Sequence, residues 1–435
     1  MKDFVDFAMM LYFDAEGRIV METFWAIFVV TIVRHFFTSL FSAWPVIFSN
    51  KYTIANLRSK GAKFAQSGVS VILASHNTDR EILQTVLSMR EQTVKKMQII
   101  LVNDGSTDLT DHFARDLLRK KIIDNYVKTE IRAGKAAALN AGFEFVKYPY
   151  TIFCDTGTTY HRDAVEIALG YFEDPNVAAV SAGVGVRNCD ENLLTYLQKM
   201  HYFISCTISR HALNFMGLQF VISGAFGLFR TDLLTMLGGH FPGTGEDLDL
   251  TLKLRNLGWK IEFSFYSVAL TDVPETLGAL LKQTLRWDRD GIKLTYQKYS
   301  WYGINPFLGK FDVGIAIGFL DNFLVGFILP ITMYGYIAYF IFIHKEGFLF
   351  FLFTVFWLTL IAEFFSMLVA LGFANRFDRD WRFLYYVPMY VILKQYFYEP
   401  IRFVAIWSEL IFKHSFADSF SPQKVRSALL RKGWK

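Results

Sequence analysis

Apolar residues crowd the two ends of the chain and are rationed in its middle. Phe24 to Phe48 is predominantly apolar, long enough for the roughly 20 residues that a bilayer-crossing helix needs. The same density returns from Val313 to Ile343 and from Phe348 to Phe373, separated by the polar turn His344-Lys345-Glu346-Gly347, which predicts a hairpin of two spans. The last apolar stretch, Phe383 to Phe412, is interrupted by Lys394, Glu399, Pro400 and Arg402, and these predict a bent, re-entrant segment rather than a straight crossing. Arg34 in the first span has two open readings: a residue facing other helices, a lumen or a lipid phosphate, or a snorkelling arginine on a tilted helix.

Between these ends the pattern changes to short apolar runs alternating with helical periodicity. Val69–Ala74, Gln98–Val102 and Tyr150–Cys154 read as strands, with a helix from Asp79, another after the second strand, and a third opened by Arg132–Asn140. That alternation predicts an α/β core with a parallel sheet. Thr78 and Glu81 have the spacing of a capping box for the first helix. From Asn188 to Gly217, Leu193, Leu194, Leu197, Met200, Phe203 and Ile204 recur near helical spacing, and Pro274 to Tyr302 reads as a second interfacial helix. The chain therefore divides into an N-terminal segment with a span at about 24–48 (1–63), an α/β domain including an amphipathic helix (64–273), interfacial helices (274–312), a C-terminal transmembrane region (313–412) and a basic tail (413–435).

Composition agrees with a membrane part: the chain is 53% apolar, 17% aromatic and only 20% charged, with mean hydropathy +0.27. Its net charge of +5 is spread out, and no motif that reads RNA or DNA is present, so a nucleic-acid partner is not expected. Lys51, Arg58, Lys60 and Lys63 after the first span place the following domain in the cytoplasm, and Lys424, Arg426, Arg431 and Lys432 favour the same side for the tail. No cleavage signal is evident, which leaves the first span as an anchor. Cys154, Cys189 and Cys206 have neither zinc-site spacing nor an even count.

Four stretches and Lys135 carry candidate chemistry. Glu246, Asp247 and Asp249 follow the Phe241-Pro242-Gly243-Thr244-Gly245 loop; they read either as the solvated first turn of a helix or as a source of a general base for a sugar hydroxyl. Gln283-Thr284-Leu285-Arg286-Trp287 adds a cation suited to a leaving diphosphate and a ring suited to stacking on a sugar. Asp288, Arg289 and Asp290 beyond it read as charges that solvate the membrane surface. Asn103-Asp104-Gly105 and Asp155-Thr156-Gly157 both sit at strand carboxyl ends, where open α/β sheets bind ligands. Lys135 stands in the first turn of a helix, where it opposes the macrodipole and is placed to reach phosphate.

GEDLD followed by QTLRW resembles the signatures of the processive family-2 glycosyltransferases, membrane enzymes that make cellulose, hyaluronan, chitin oligosaccharides and poly-N-acetylglucosamine. The resemblance implies an α/β, GT-A-like cytosolic glycosyltransferase domain with interfacial amphipathic helices and an α-helical transmembrane region in the cytoplasmic (inner) membrane. It implies that Asp104 contacts uridine, that His76-Asn77 matches the segment after the first strand, that Lys135 belongs to a GKAxALN-like segment, and that Ser223-Gly224 lies near the acceptor. Gln283, Arg286 and Trp287 would line the meeting place of donor and polymer, with Asp247 as base beside Glu246. Asp155 matches the first acid of the family's metal-binding DxD, but Gly157 replaces the second, so Asp155 alone would hold Mg²⁺ or Mn²⁺, and an acid restored at Gly157 would be expected to strengthen that site. The implied reaction is processive, inverting polymerisation of a β-linked exopolysaccharide from a UDP-sugar, with translocation across the bilayer and export or accessory proteins as partners. The alternatives are a single-sugar transferase to a polyprenyl phosphate carrier and, because of Gly157, a catalytically silent membrane scaffold.

Overall fold

The computed structural model of the chain describes residues 53–299 apart from 242, then 313–343, 348–373 and 380–417, with isolated positions at 345 and among 22–41. Most of the expected span Phe24–Phe48, and the basic tail from 418 onward, lie outside the described residues. Helix α1 (Ile54–Ala65) starts where the Thr53 side chain accepts a bond from the Asn56 amide. There follow β1 (Val69–Ser75), α2 (Ile82–Arg90), β2 (Met97–Asp104), α3 (Thr110–Arg119), β3 (Asn125–Thr129), α4 (Lys135–Phe143), β4 (Tyr150–Asp155), β5 (Thr158–Tyr160), α5 (Ala164–Leu169) and β6 (Val177–Val186). Next come α6 (Leu193–Tyr202), α7 (Ser209–Phe215), β7 (Gly227–Arg230), α8 (Thr231–Leu237), α9 (Glu246–Asn256), β8 (Lys260–Thr271) and α10 (Leu277–Ile292).

The strands form one sheet in the order β3-β2-β1-β4-β7-β6-β8-β5. β3, β2, β1 and β4 are mutually parallel, whereas β7 runs antiparallel to both β4 and β6, so the sheet is mixed rather than purely parallel. Alternation along β1 explains its uniformly apolar sequence. Val69, Val71 and Leu73 join the core beneath α2 and α5, while Ile72 joins the opposite core with Ala138 and Leu139 of α4 and Leu250 and Leu254 of α9. Because β1, β2 and β4 are parallel and in register, with Ala74 beside Asp155 and Ser75 beside Asn103, their carboxyl ends form a common rim.

The expected capping box does not form. Thr78 Oγ1 bonds Ser75 Oγ, and α2 begins only at Ile82, with no side-chain cap at Glu81. The competing partner is the loop after β2: Ser106, Thr110 and Asp108 side chains take up the amides of Asn77, Thr78 and Asp79. Those tertiary bonds hold the segment before α2 in place of the expected reciprocal cap.

A wider π-helical turn, Phe203–Ile208, joins α6 to α7, so the expected amphipathic helix is continuous through residue 215. Its inner face, Leu197, Met200, Phe203 and Ile208, packs both on the sheet core and on Met367, Ala370, Phe383 and Val387 of the C-terminal helices.

Those helices are α11 (Val313–Phe323) and α12 (Leu329–Phe342), joined by a π-turn, then α13 (Phe348–Phe373), α14 (Arg382–Leu393) and α15 (Glu399–Phe412). Ala316–Phe342 and Phe351–Gly372 are long and apolar enough to cross a membrane. The hairpin bend expected within Phe383–Phe412 is corrected by the structure, since α14 and α15 are linked by a π-turn at Lys394–Tyr398 whose backbone stays helical. Pro400 sits in the first turn of α15, where a missing amide donor is tolerated. Lys394, which reads as too costly for lipid, is paired with buried Glu363 of α13.

Candidate active site

The rim of the parallel strands collects most of the sequence-predicted residues. His76 Nδ1 lies 2.8 Å from the Asp104 carbonyl oxygen, and the Asn77 side-chain oxygen accepts the Thr107 amide at 2.9 Å, which ties the ends of β1 and β2 together. The Asp104 carboxylate is 3% exposed and accepts the amides of Ala133 and Gly134 at 2.7 and 2.8 Å. Asp104 thus shapes the turn that launches α4, and Gly134 meets that turn's demand with φ +93°.

The turn delivers Lys135 to the centre of the acidic residues. Its ammonium is 2.6 Å from Asp155 Oδ1 and 2.7 Å from Glu246 Oε1. The backbone of Gly224 closes the group: its amide donates to Asp247 Oδ2 at 3.1 Å. A Cβ at Gly224 would come within 2.7 Å of Lys135 Nζ, 3.3 Å of Asp155 Oδ2 and 3.4 Å of Asp247 Oδ2, so a side chain here would displace the Lys135 ammonium from this convergence. Ser223 stands one residue away, its amide bonded to Ser181 Oγ of β6. The Phe220–Phe226 segment runs as irregular chain into the start of β7.

Electrostatics separate the two acids of the GED segment. Burial and the neighbouring Glu246 charge push the Asp247 carboxyl well above the usual carboxylate range. Burial acts the same way on Glu246, but the charge and hydrogen bond of Lys135 outweigh it and hold Glu246 below its ordinary value. Burial alone would depress the Lys135 ammonium; the carboxylates of Asp155, Glu246 and Asp247 reverse that and raise it. The group contains a firmly charged lysine, an ionised glutamate and an aspartate that holds its proton to higher pH.

Asp249, the third acid, is excluded from the rim. It is 3% exposed and bound by Lys253, Lys298 and the Tyr299 hydroxyl, which makes it a structural anchor on the far side of α9.

Gln283, Arg286 and Trp287 lie on α10. The Trp287 ring is 45% exposed and 6.3 Å from the ring of Tyr202 on α6, and the Gln283 carboxamide oxygen is buried without a hydrogen-bond partner among the described residues. An orphaned acceptor beside an exposed indole fits a surface that receives a hydroxyl-bearing ring. Two further contributions escaped sequence reasoning. Asn140 brackets the backbone of His240 with two 2.8 Å bonds, fixing the loop that enters the GED segment. At the exit of that loop, Thr244 is gripped by Asp290 and Lys293, both buried, so the charge at Asp290 does not solvate the surface as its sequence suggests.

For a divalent metal, the donor set is sparse. No group of three His, Cys, Asp or Glu side chains able to hold an ion occurs among the described residues. Asp155 keeps part of its side chain open to solvent beside its bond to Lys135, which fits an ion that takes one protein carboxylate and otherwise phosphate and water oxygens.

Comparison with known proteins bears on the fold and the family. Residues 70–237 match the family described as Glycosyl transferase family 2. The chain is 29% identical over 226 residues to a poly-beta-1,6-N-acetyl-D-glucosamine synthase of Staphylococcus epidermidis, covering 52% of this chain and 54% of that protein. It is 30% identical over 230 residues to the poly-beta-1,6-N-acetyl-D-glucosamine synthase of Staphylococcus aureus strain COL, with the same coverage. The matched region thus spans about half the length of these curated relatives. Among solved structures, a mannosyltransferase from Pyrobaculum calidifontis in complex with GDP-Man and Mn²⁺ superposes with TM-score 0.57 at 17% identity, covering 89% of this chain and 99% of that one. The fold is a GT-A-like α/β glycosyltransferase fold with a mixed sheet.

Proposed function

We propose, on the premise that residues 70–237 form a glycosyl transferase family 2 domain, that the chain is a UDP-sugar-dependent, inverting glycosyltransferase that extends a β-linked polysaccharide built on N-acetylglucosamine. The observation that carries this reading is the convergence of Lys135, Asp155, Gly224, Glu246 and Asp247 at the carboxyl ends of the parallel strands.

Asp247 takes the proton from the acceptor hydroxyl, whose oxygen then attacks the anomeric carbon as the C–O bond to UDP breaks and the diphosphate leaves. The proton ends on Asp247 and the new negative charge on the diphosphate. Lys135, held by two carboxylates on one side of the site, supplies fixed positive charge near that leaving group without reorganisation, and Arg286 adds a second cation. Glu246 keeps Lys135 charged and in place. Asp155 would hold Mg²⁺ or Mn²⁺, which would neutralise diphosphate charge when bound. Trp287 offers its exposed ring, and Gln283 its unpaired oxygen, to the acceptor sugar. His76, Asn77 and Asp104 build the nucleotide side, Asp104 through the turn it holds and Ser223 through the backbone next to Gly224.

The two apolar helices and the α6 and α10 surfaces support a membrane enzyme with its catalytic domain in the cytosol, extending processively and passing the polymer across the bilayer. The test is turnover by the full-length chain in detergent or nanodiscs with UDP-N-acetylglucosamine, UDP-glucose and UDP-glucuronate, reading UDP release and product length. Long polymer from UDP-N-acetylglucosamine is expected, with Trp287→Ala shortening it. Addition of single sugars only would remove processivity, and no UDP release with any donor and metal would favour the scaffold.

A further inference from the structure

The helix that carries Gln283, Arg286 and Trp287 does not end at the surface. Six residues past Trp287 it widens into a π-turn, Lys293–Lys298, and this part of the chain holds the GED segment at both ends. At the front, Lys293 Nζ lies 2.8 Å from Asp290 Oδ1, 2.9 Å from Thr244 Oγ1 and 3.1 Å from the Thr244 carbonyl oxygen, and the Thr244 hydroxyl donates to Asp290. Asp290 and Lys293 are 5% and 4% exposed. At the back, the Tyr299 hydroxyl donates to Asp249 Oδ1 at 2.8 Å and Lys298 bonds the same carboxylate. Glu246 and Asp247 lie between these two grips.

The contact is intimate as well as polar. Gly245 adopts φ +75°, and a Cβ there would come within 2.9 Å of Leu294 Cδ1 and 3.1 Å of Asp290 Cβ. A buried ion pair is a poor device for stability, because desolvating both charges offsets most of their attraction and apolar residues of like volume would hold two segments equally well. What such a pair does provide is one register: three donors on Lys293 meet a hydroxyl, a carbonyl and a carboxylate in a single arrangement. A π-turn in the same place re-aims the side chains that follow α10 toward α9, a frequent use of such turns at functional sites.

We propose that Thr244, Asp290 and Lys293 are positioning residues that couple the seating of the Gln283–Trp287 helix to the placement of the Glu246–Asp247 segment, so that acceptor engagement on α10 brings Asp247 into line. This inference rests on the proposed transferase reading for its kinetic consequence, and on the geometry alone for its mechanical one. Neither Asp290 nor Lys293 touches the convergence of acids at Lys135; they act through the loop.

Two measurements on the full-length chain test it. In turnover with UDP-N-acetylglucosamine, Thr244→Val removes only the hydroxyl and is expected to lower kcat roughly 10- to 100-fold, the scale of a small misplacement of a reacting group. KM for the donor should stay within about threefold of its original value, and Thr244→Ser should recover most of the rate. Asp290→Asn combined with Thr244→Val should be no slower than Asp290→Asn alone, since the two act as one unit. An unchanged kcat in Thr244→Val, a Thr244→Ser variant as slow as the valine, or additive losses in the double variant would each overturn the coupling. Hydrogen exchange supplies the second readout and needs no turnover. Thr244→Val should raise exchange in residues 244–250 while leaving β1 and β2 protected, and identical exchange in 244–250 would overturn the proposal even if the protein proved inactive toward every donor. Inactivity of the unmodified chain would sink the transferase reading alone.

Discussion

The Lys135 ammonium lies 2.7 Å from Glu246 Oε1, across the gap between the first turn of α4 and the first turn of α9. One end of that bond belongs to the rim of the parallel strands and the other to the segment that carries Asp247, so on the proposed reading the pair joins donor site to base. Removing the cation leaves Asp155, Glu246 and Asp247 facing one another without compensation. Lys135→Met is therefore expected to cut transfer roughly 10²- to 10³-fold and to lower thermal stability by about 3 kcal/mol, the usual cost of stranding one partner of a largely buried pair. Lys135→Arg should recover stability better than rate, because a planar fork cannot reproduce one point charge between two carboxylates. Wild-type turnover by Lys135→Met would remove this lysine from the mechanism.

With Asp247 as the proposed base, the acid limb of activity is expected to follow its carboxyl. Its carboxyl is raised from 3.8 to about 6, first by burial and then by the Glu246 charge. The base is the ionised form, so the rate should climb as pH rises through about 6 and level above it. Stability moves the other way: a group whose folded value exceeds its unfolded one contributes fully below about 4, and that contribution is lost as pH rises through about 6. Asp247→Asn should abolish the rate rise, with transfer down roughly 10²- to 10⁴-fold and UDP binding nearly intact. A pH–rate profile with the same acid limb in Asp247→Asn would place the titrating group elsewhere.

The strand ends and their acids were legible because the relevant signal is local: an apolar run of strand length followed at once by Asp104 or Asp155 names both the element and the rim position. The same holds for the start of α9 at Glu246. What sequence concealed is long-range. Thr78 and Glu81 have the right spacing for a cap, but the Ser106–Thr110 loop after β2 takes up the amides of Asn77, Thr78 and Asp79 instead. Asp290 looks like a solvated charge next to Arg289, but it is buried in a pairing with Lys293 and with Thr244, 46 residues earlier. Pro400 reads as a break, whereas a π-turn just ahead of it lets the helix continue.

The path of α14 and α15 bears on the tail. Asp380, just before α14, accepts the Tyr196 hydroxyl at 2.9 Å, which sets that end against α6 of the catalytic domain. At the other end, Arg289 Nε of α10 donates to Ser408 Oγ at 2.9 Å. Both ends of the segment thus meet elements on the catalytic side, although its backbone never leaves helical geometry. The basic residues Lys424, Arg426, Arg431 and Lys432 favour the same side. A cysteine introduced by Ser427→Cys, in a background lacking Cys154, Cys189 and Cys206, should resist a membrane-impermeant thiol reagent in intact cells and react after permeabilisation. Labelling without permeabilisation would put the tail on the opposite face.

The metal question turns on Gly157. Its amide accepts no substitute geometry easily: it donates to Thr85 Oγ1 at 3.0 Å, and the residue adopts φ +91°, a conformation that costs a side-chain-bearing residue roughly 1–3 kcal/mol. A Cβ there would meet the Glu81 side chain at an ordinary 3.9 Å contact, so the backbone conformation rather than lack of space opposes an added side chain. Gly157→Asp, which the DxD pattern recommends as a gain, is therefore expected to lower stability without lowering the metal concentration needed for turnover. On the proposed reading Asp155 would hold the ion together with the substrate's phosphates, which predicts a requirement in the millimolar range for Mg²⁺ or Mn²⁺. Asp155→Asn should raise that requirement further and also loosen Lys135, whose 2.6 Å bond to Asp155 it weakens. The measurement is UDP release against metal concentration after chelation, for the unmodified chain, Asp155→Asn and Gly157→Asp. Turnover that survives full chelation would leave Lys135 and Arg286 as the charges that face the diphosphate, and a Gly157→Asp variant active at lower metal would show that the turn tolerates the missing acid after all.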